Sequence, residues 1–244
     1  MSVTKRQEQI LNLLHENGYM SVESLSVATF TSPSSIRRDL TCLQNMYYVK
    51  RSHGGASILE ESSHPAHLNN RMTKNVIGKR KIAAKAAQFI KDGMTIMLDG
   101  SSTASFLIPY IAKHKDVILF TNNMITAVNA INMGIETYCT GGCSVNNSAV
   151  LSGPIAYKMI EEVHTDILFF SSQSIDVYGT ISDSTHAENY LRQLMIKNAK
   201  QRIFLCDKEK FNRKSLYTLV SMNDIDIAIF DEEWNELKAD CKVL

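Results

Sequence analysis

Long apolar runs are missing from this chain. Nowhere in its 244 residues does an uninterrupted apolar stretch reach about 18 positions, the length a transmembrane helix needs. The N-terminus reads Met-Ser-Val-Thr-Lys-Arg-Gln-Glu with no apolar segment behind it, which is not the pattern of a secretory signal. A cytoplasmic location with no membrane partner is therefore expected. The five cysteines, Cys42, Cys139, Cys143, Cys206 and Cys241, are odd in number, which in such a chain argues against a disulfide framework. Cys139 and Cys143 flank Thr140-Gly141-Gly142, but no paired Cys or His set completes a tetrahedral site, so no metal is expected. His64 and His67 lie in a polar stretch and read as solvated. Internal repeats and low-complexity segments are also absent.

Net charge is nearly absent, +1 over the whole chain, but it is unevenly divided. Residues 1–91 hold 13 Lys+Arg against 6 Asp+Glu, a net +7, and residues 92–244 hold 13 against 19, a net −6. A basic first third fits a polyanionic partner, and an acidic remainder does not. Much of the positive charge falls in Arg71 to Lys91, where it also fits a solvated helix face.

The most informative stretch runs from Ser32 to Ala56. Ser32 suits a helix N-cap and Pro33 the first helical position. Ile36, Leu40 and Leu43 come next at i, i+4 and i+7, which buries one face. Ser34, Ser35, Arg37 and Arg38 are left at the exposed start. Hydroxyls and guanidiniums on the first turn of a short helix are what a DNA recognition helix needs, since its N-terminal residues reach base edges and phosphates. Upstream, Thr4 to Glu16 reads as a first helix packed through Ile10, Leu13 and Leu14, ended by Asn17-Gly18. Ser21 then caps a second helix, Val22 to Thr29. Downstream, Tyr48 to Arg51 and Ala56 to Leu59 read as a hairpin turning through His53-Gly54-Gly55, with Lys50, Arg51 and His53 near a phosphate backbone.

In this order of elements, and in Ile36-Arg37-Arg38-Asp39-Leu40 and His53-Gly54-Gly55-Ala56, residues 4–59 resemble the winged helix-turn-helix of DeoR-type bacterial transcriptional regulators. Three positions depart from the family pattern: Thr31 stands where Val is usual, Ser35 where Thr is usual, and Tyr47 where Gly usually precedes the wing.

A polar stretch, Glu60 to Asn70, separates the wing from the larger remainder of the chain, giving expected domains at 1–59 and 74–244 with a linker at 60–73. Beyond Lys74, short apolar runs alternate with helical patterns. Helices are expected at Asn75–Lys91, Ser102–Lys113, Asn123–Met133, Pro154–Val163 and His186–Asn198. Strands are expected at Met94–Leu98, Val117–Phe120, Glu136–Cys139, Ile167–Phe170, Arg202–Cys206, Tyr217–Val220 and Ile227–Phe230. That alternation predicts an α/β domain with a mostly parallel sheet covered on both faces. Ligands of such sheets bind at the carboxyl ends of the strands. Polar loops fall there at Asp99-Gly100-Ser101-Ser102-Thr103, Thr121-Asn122-Asn123, Thr140-Gly141-Gly142 and Asp207 to Phe211. Three hydroxyls and a glycine at a helix start suit a phosphate, and equally suit a plain helix cap.

Residues 71–231 resemble the DeoR-type effector domain, whose fold is similar to that of ribose-5-phosphate isomerases. The match lies in Asp99 to Thr103 (with Ser101 where the family has Gly), Thr121-Asn122, Gly141-Gly142, Gly153-Pro154, Glu188, and Asp207 with Lys210-Phe211. Ser171 to Ser174 replaces a usually Gly-rich segment. The resemblance implies a regulator, usually a repressor of carbohydrate genes, that reads a double-stranded DNA operator as a homo-oligomer, dimer or tetramer, and senses a phosphorylated sugar. It implies that Ser101, Ser102 and Thr103 hold the phosphate, that Lys210 adds charge, that Asp99, Asn122 and Glu188 bind sugar hydroxyls, and that Gly141 and Gly142 belong to the site. No cofactor and no catalytic residue are expected. Two other readings stay open: a sugar-phosphate isomerase-like enzyme, for which Glu188 is the available base, and a DNA-binding protein whose second domain only oligomerises.

Overall fold

The computed structural model describes residues 4–45, 48–52, 54–58, 71–72, 74–146 and 148–244. His53 and Tyr47 of the wing, and nearly all of the expected linker, lie outside the described residues. The chain forms two units, Met1–Lys74 and Asn75–Leu244.

In the first unit, α1 (Lys5–Asn17) opens on a reciprocal cap: Thr4 Oγ1 accepts from the Gln7 N–H, and the Gln7 side chain accepts from the Thr4 N–H. Gly18, at φ 71°, ends the helix in a conformation that a β-carbon would strain. A strand that the sequence did not suggest comes next, β1 (Tyr19–Ser21); at three residues it is too short to show a period. Ser21 caps α2 (Val22–Ala28) by accepting from the Ser24 N–H. The Ser32 hydroxyl lies 3.4 Å from the Ser35 nitrogen at the start of α3 (Pro33–Asn45). The wing is β2 (Val49–Ser52) and β3 (Gly55–Ile58), antiparallel with Val49 opposite Ile58, and β1 pairs on the other side of β3. Ile10, Leu14, Leu25, Ile36, Leu40 and Leu43 are fully buried together, so the three helices share one core.

Within Arg37-Arg38-Asp39 the roles divide. The two arginines are exposed, while Asp39 is buried and takes Arg6 Nε at 2.6 Å, Arg6 Nη2 at 3.2 Å and Gln7 Nε2 at 3.3 Å. This carboxylate sets the position of α3 against α1.

In the second unit the elements run α4 (Val76–Ala86), β4 (Thr95–Leu98), α5 (Ser102–Ser105), α6 (Ile108–Ile111), β5 (Ile118–Thr121), α7 (Met124–Asn132), β6 (Glu136–Cys139), β7 (Cys143–Ser144), β8 (Leu151–Ser152), α8 (Pro154–Glu161), β9 (Thr165–Phe170), β10 (Ser174–Ile175), β11 (Thr180–Asp183), α9 (His186–Asn198), β12 (Ala199–Cys206), β13 (Tyr217–Ser221), β14 (Ile227–Phe230) and β15 (Lys242–Val243). Seven strands form one sheet in the order β15-β14-β12-β9-β4-β5-β6, with every neighbouring pair parallel. Strand side chains alternate between two cores, as a period of two requires. Ile96, Leu98, Ile167, Phe169, Ile203 and Leu205 face one, with Ile82 and Ala86 of α4. Met97, Leu168, Phe170 and Phe204 face the other, with Ile160 of α8 and Leu191 of α9.

Two expectations change. The helix expected over Ser102–Lys113 is two short helices, because Pro109 has no N–H to give the Ser105 carbonyl and interrupts the ladder. The strand expected at Tyr217–Val220 is not in the main sheet. As β13 it pairs antiparallel with β11 in a separate three-stranded sheet, β10-β11-β13. Among the described residues, no helix is long and apolar enough to cross a membrane.

Asp39→Ala is expected to lower the stability of the first unit by about 1–3 kcal/mol, the cost of removing a buried hydrogen-bonded carboxylate, while leaving Arg37 and Arg38 in place; urea unfolding followed by circular dichroism of the full chain measures it.

Candidate effector site and DNA-binding surface

The carboxyl ends of β4, β5, β9 and β12 bring Asp99, Asn122, Ser171 and Asp207 to one edge of the sheet. All four are nearly fully buried. At the centre is Arg192 of α9, which was not among the residues expected from the sequence. Its Nε lies 2.9 Å from Asp99 Oδ2, Nη1 lies 3.2 Å from Asp183 Oδ2, and Nη2 lies 3.7 Å from Glu188 Oε2. Nη1 also donates to Asn189 Oδ1 at 3.3 Å. Burial disfavours the guanidinium charge, but Asp183, Asp99 and Glu188 outweigh it, so the pKa of Arg192 is raised. Asp99 accepts two backbone N–H groups besides, from Ser101 at 3.2 Å and Ser171 at 3.3 Å.

Beside this network stands Lys210. Its Nζ lies 2.8 Å from Ser171 Oγ, 3.4 Å from Thr103 Oγ1 and 3.3 Å from Asp207 Oδ2. Ser171, in the segment that departs from the family pattern, thus holds Lys210 while donating to the Leu205 carbonyl. Burial pushes the Asp207 carboxyl up, yet the charges of Lys210 and Lys79 prevail and hold its pKa below the usual carboxylate value. Lys79, on α4, is itself buried, whereas Arg80, Lys81 and Lys85 are exposed. The basic stretch that read as a solvated face therefore contributes one lysine to this site. Cys206 next door is buried and its thiol pKa is pushed up, which makes it unreactive.

Asn122 lies against Gly100, donating through Nδ2 to the Leu151 carbonyl at 2.9 Å; its Oδ1 is buried and has no partner among the described residues. Ser101, Ser102 and Thr103 are buried, and Ser101 Oγ accepts from the Ala104 N–H as the cap of α5. Gly142 has φ 100°, and a β-carbon there would come within 2.5 Å of the Ser152 carbonyl oxygen, so the chain after β6 requires glycine. Gly141 also has positive φ and sits beside Ile155. The signal for Arg192 was present in the sequence: a charged residue four after Glu188 on a helix whose neighbours Leu191, Met195 and Ile196 are core.

On the first unit, Ser34, Arg37, Arg38, Lys50 and Arg51 are exposed and Ser35 is half-buried. Arg51 Nη1 donates to Thr41 Oγ1 at 3.2 Å, which brings the wing alongside the outer face of α3. Arg37 lies 3.9 Å from Glu23 across open solvent, a pairing weak enough to exchange for a phosphate.

The model of the DeoR-like helix-turn-helix domain matches residues 6–62, and that of the DeoR C terminal sensor domain matches residues 74–232. The chain belongs to the DeoR family of transcriptional regulators. The HTH-type transcriptional regulator GolR of Listeria innocua is 31% identical, the match covering 95% of this chain and 92% of that protein. The glycerol-3-phosphate regulon repressor of Haemophilus influenzae is 25% identical over 93% of this chain and 88% of its own length. The structure of ribose 5-phosphate isomerase from Methanocaldococcus jannaschii aligns with a TM-score of 0.42 and 19% identity, over 57% of this chain and 55% of that one. Membership of the family makes the first unit a DNA-binding domain and the second a sensor domain.

Arg192→Leu, which would leave Asp99 and Asp183 buried without their cation, is expected to cost about 3–5 kcal/mol of stability, with partial recovery in Arg192→Lys; urea unfolding of both variants measures it. Asp207 gives the site a pH dependence. Its folded pKa is depressed, so its contribution is fully present above the ordinary carboxylate value of about 4 and is lost as pH falls through the folded value. Asp207→Asn is expected to flatten the fall in stability between about pH 4 and more acid conditions, read from unfolding curves at stepped pH.

Proposed function

We propose that the protein is a cytoplasmic repressor of carbohydrate-metabolism genes whose operator binding is controlled by a phosphorylated sugar held in the second unit, and that it acts as a homo-oligomer and not as an enzyme. The observation that carries this reading is the Lys210 ammonium gathered with the Thr103 and Ser171 hydroxyls at the carboxyl end of a parallel sheet, with Asn122 Oδ1, which has no partner among the described residues, farther along the same edge. One cation with convergent hydroxyls suits a phosphate, and a lone buried acceptor suits a sugar hydroxyl. α5 has only four residues, so its dipole adds little and the charge comes from Lys210, reinforced by Lys79. Asp99 has spent three of its roughly four acceptor positions on Arg192, Ser101 and Ser171, leaving one for a ligand. Glu188 flanks the same guanidinium, and Gly141 and Gly142 line the neighbouring strand end. A relative named for glycerol-3-phosphate supports a phosphorylated effector.

Against an enzyme, isomerisation needs a carboxylate poised to take a carbon-bound proton. Glu188, the candidate base, is instead held 3.7 Å from the buried Arg192 guanidinium, in the ion-pair network that also fixes Asp99 and Asp183. Absence of turnover of pentose and hexosamine phosphates by the purified protein is the expected result.

Effector binding is tested by a thermal-shift panel pairing each sugar phosphate with its unphosphorylated sugar. One phosphorylated compound is expected to raise the melting temperature while its parent sugar does not, because a ligand that binds only the folded state stabilises it. Lys210→Met is expected to weaken that compound by about 10–100-fold, the loss of one charge-assisted contact. Operator binding is tested with Arg37→Ala and Arg38→Ala, each expected to lower affinity and, where it contacts phosphate, to reduce the salt slope by about one. No response to any phosphorylated sugar would overturn the sensor assignment and leave oligomerisation as the role of the second unit.

A further inference from the structure

The outer face of α7 is inverted for a helix that borders solvent. The stripe it turns inward is Thr126, Ala127 and Ala130, all small. Its large apolar side chains turn outward: Met124 is 43% exposed, Val128 56% and Ile131 58%, spaced i, i+4 and i+7 along one stripe, with Ile125 beside them and Met133 just beyond the helix. A surface helix ordinarily does the reverse. Met124–Asn132 contains no charged residue. The helix flanks β6, an edge strand of the main sheet, whose Tyr138 is also exposed. Single exposed apolar residues need no explanation, but a continuous stripe of them marks an interaction surface.

We propose that this face is where the chain self-associates, α7 packing against α7 of a second copy about a two-fold axis with Val128 near the axis. The absence of charge selects a second copy, because an isologous contact sets a patch against itself and a neutral apolar patch is self-complementary. The i, i+4 spacing forms the ridge that interdigitates with an identical ridge on another helix. A standard interface takes about 800 Å² from each partner, so the contact is expected to run from the α7 stripe onto the adjoining edge strand with its exposed Tyr138. The choice of partner also rests on the proposed function, since paired operator half-sites call for two winged units.

The test is the mass of the full chain by light scattering across a concentration series. Wild type is expected as a dimer or a multiple of one. Val128→Glu and Val128→Lys are each expected to weaken self-association by at least about 100-fold, since like charges would meet across the axis, with circular dichroism unchanged. Mixing the two variants is expected to restore the dimer, as opposite charges then face each other. A wild type that stays monomeric overturns the proposal. So does a Val128→Glu protein with wild-type mass, which would mean that α7 is not the self-association face. The mass readout needs neither DNA nor sugar: loss of self-association in a protein that binds no operator would sink the proposed function alone, and operator binding by a protein whose mass ignores Val128 would sink the interface alone.

Discussion

One buried guanidinium organises the sensor unit. Asp99, Asp183 and Glu188 converge from the end of β4, the end of β11 and the first turn of α9, and three carboxylates out of water would repel one another and bear an uncompensated desolvation cost. Arg192 makes the arrangement possible because its planar fork carries five donors and reaches all three at once. The effect propagates. Asp99, fixed by Arg192, fixes the Ser101 and Ser171 N–H groups, and these set where Thr103 and the Ser171 hydroxyl stand. Those two hydroxyls hold Lys210. The cation at the heart of the candidate site is therefore positioned by a salt-bridge network that it does not touch.

What could be read in the sequence was what is local. The recognition helix announces itself through Ser32, Pro33 and the Ile36, Leu40, Leu43 stripe, all within a dozen residues, and the structure has that helix and that buried face. The parallel sheet was legible for a similar reason: strands buried on both faces are short apolar runs. Tertiary pairing was not legible. Arg192 and Asp99 are 93 positions apart, and nothing near either one names the other. The buried Lys79 sits in a run of exposed basic residues and is distinguished only by the turn of α4 that faces the strands. β10 and β15, at two residues each, are too short to carry any period. The break at Pro109 is different in kind. The residue was visible, but the apolar spacing on both sides of it is that of a continuous helix.

The departures from the family pattern gain physical content once placed. Replacing glycine in the segment after β9 adds hydroxyls. Ser171 does not project into open space but bridges Lys210 and the Leu205 carbonyl, and Ser174 Oγ lies 2.6 Å from Ser215 Oγ. These bonds tie β9 to the end of β12 and to the loop before β13, so the substituted segment is stiffer than a glycine-rich one. On the proposed effector reading, a stiffer segment would narrow the set of ligands that fit, because it could not reshape around a poor one.

The same bonds bear on discrimination between a phosphorylated sugar and its parent. Lys210 already faces Asp207, two hydroxyls surround it, and the residues of the Asp99 to Thr103 loop are buried. A ligand entering here displaces existing hydrogen bonds and must replace each with something at least as strong, or leave a buried group unpaired. A neutral hydroxyl offered to Lys210 in place of a carboxylate or serine gains nothing. A phosphate, with more charge and three acceptor oxygens, satisfies the ammonium and adjacent N–H groups together. On the proposed effector reading, these internal hydrogen bonds are a filter in themselves. Binding would then depend on a ligand group whose charge exceeds that of the internal partner it displaces, and only a ligand with that advantage would have the differential affinity that a shift between states requires.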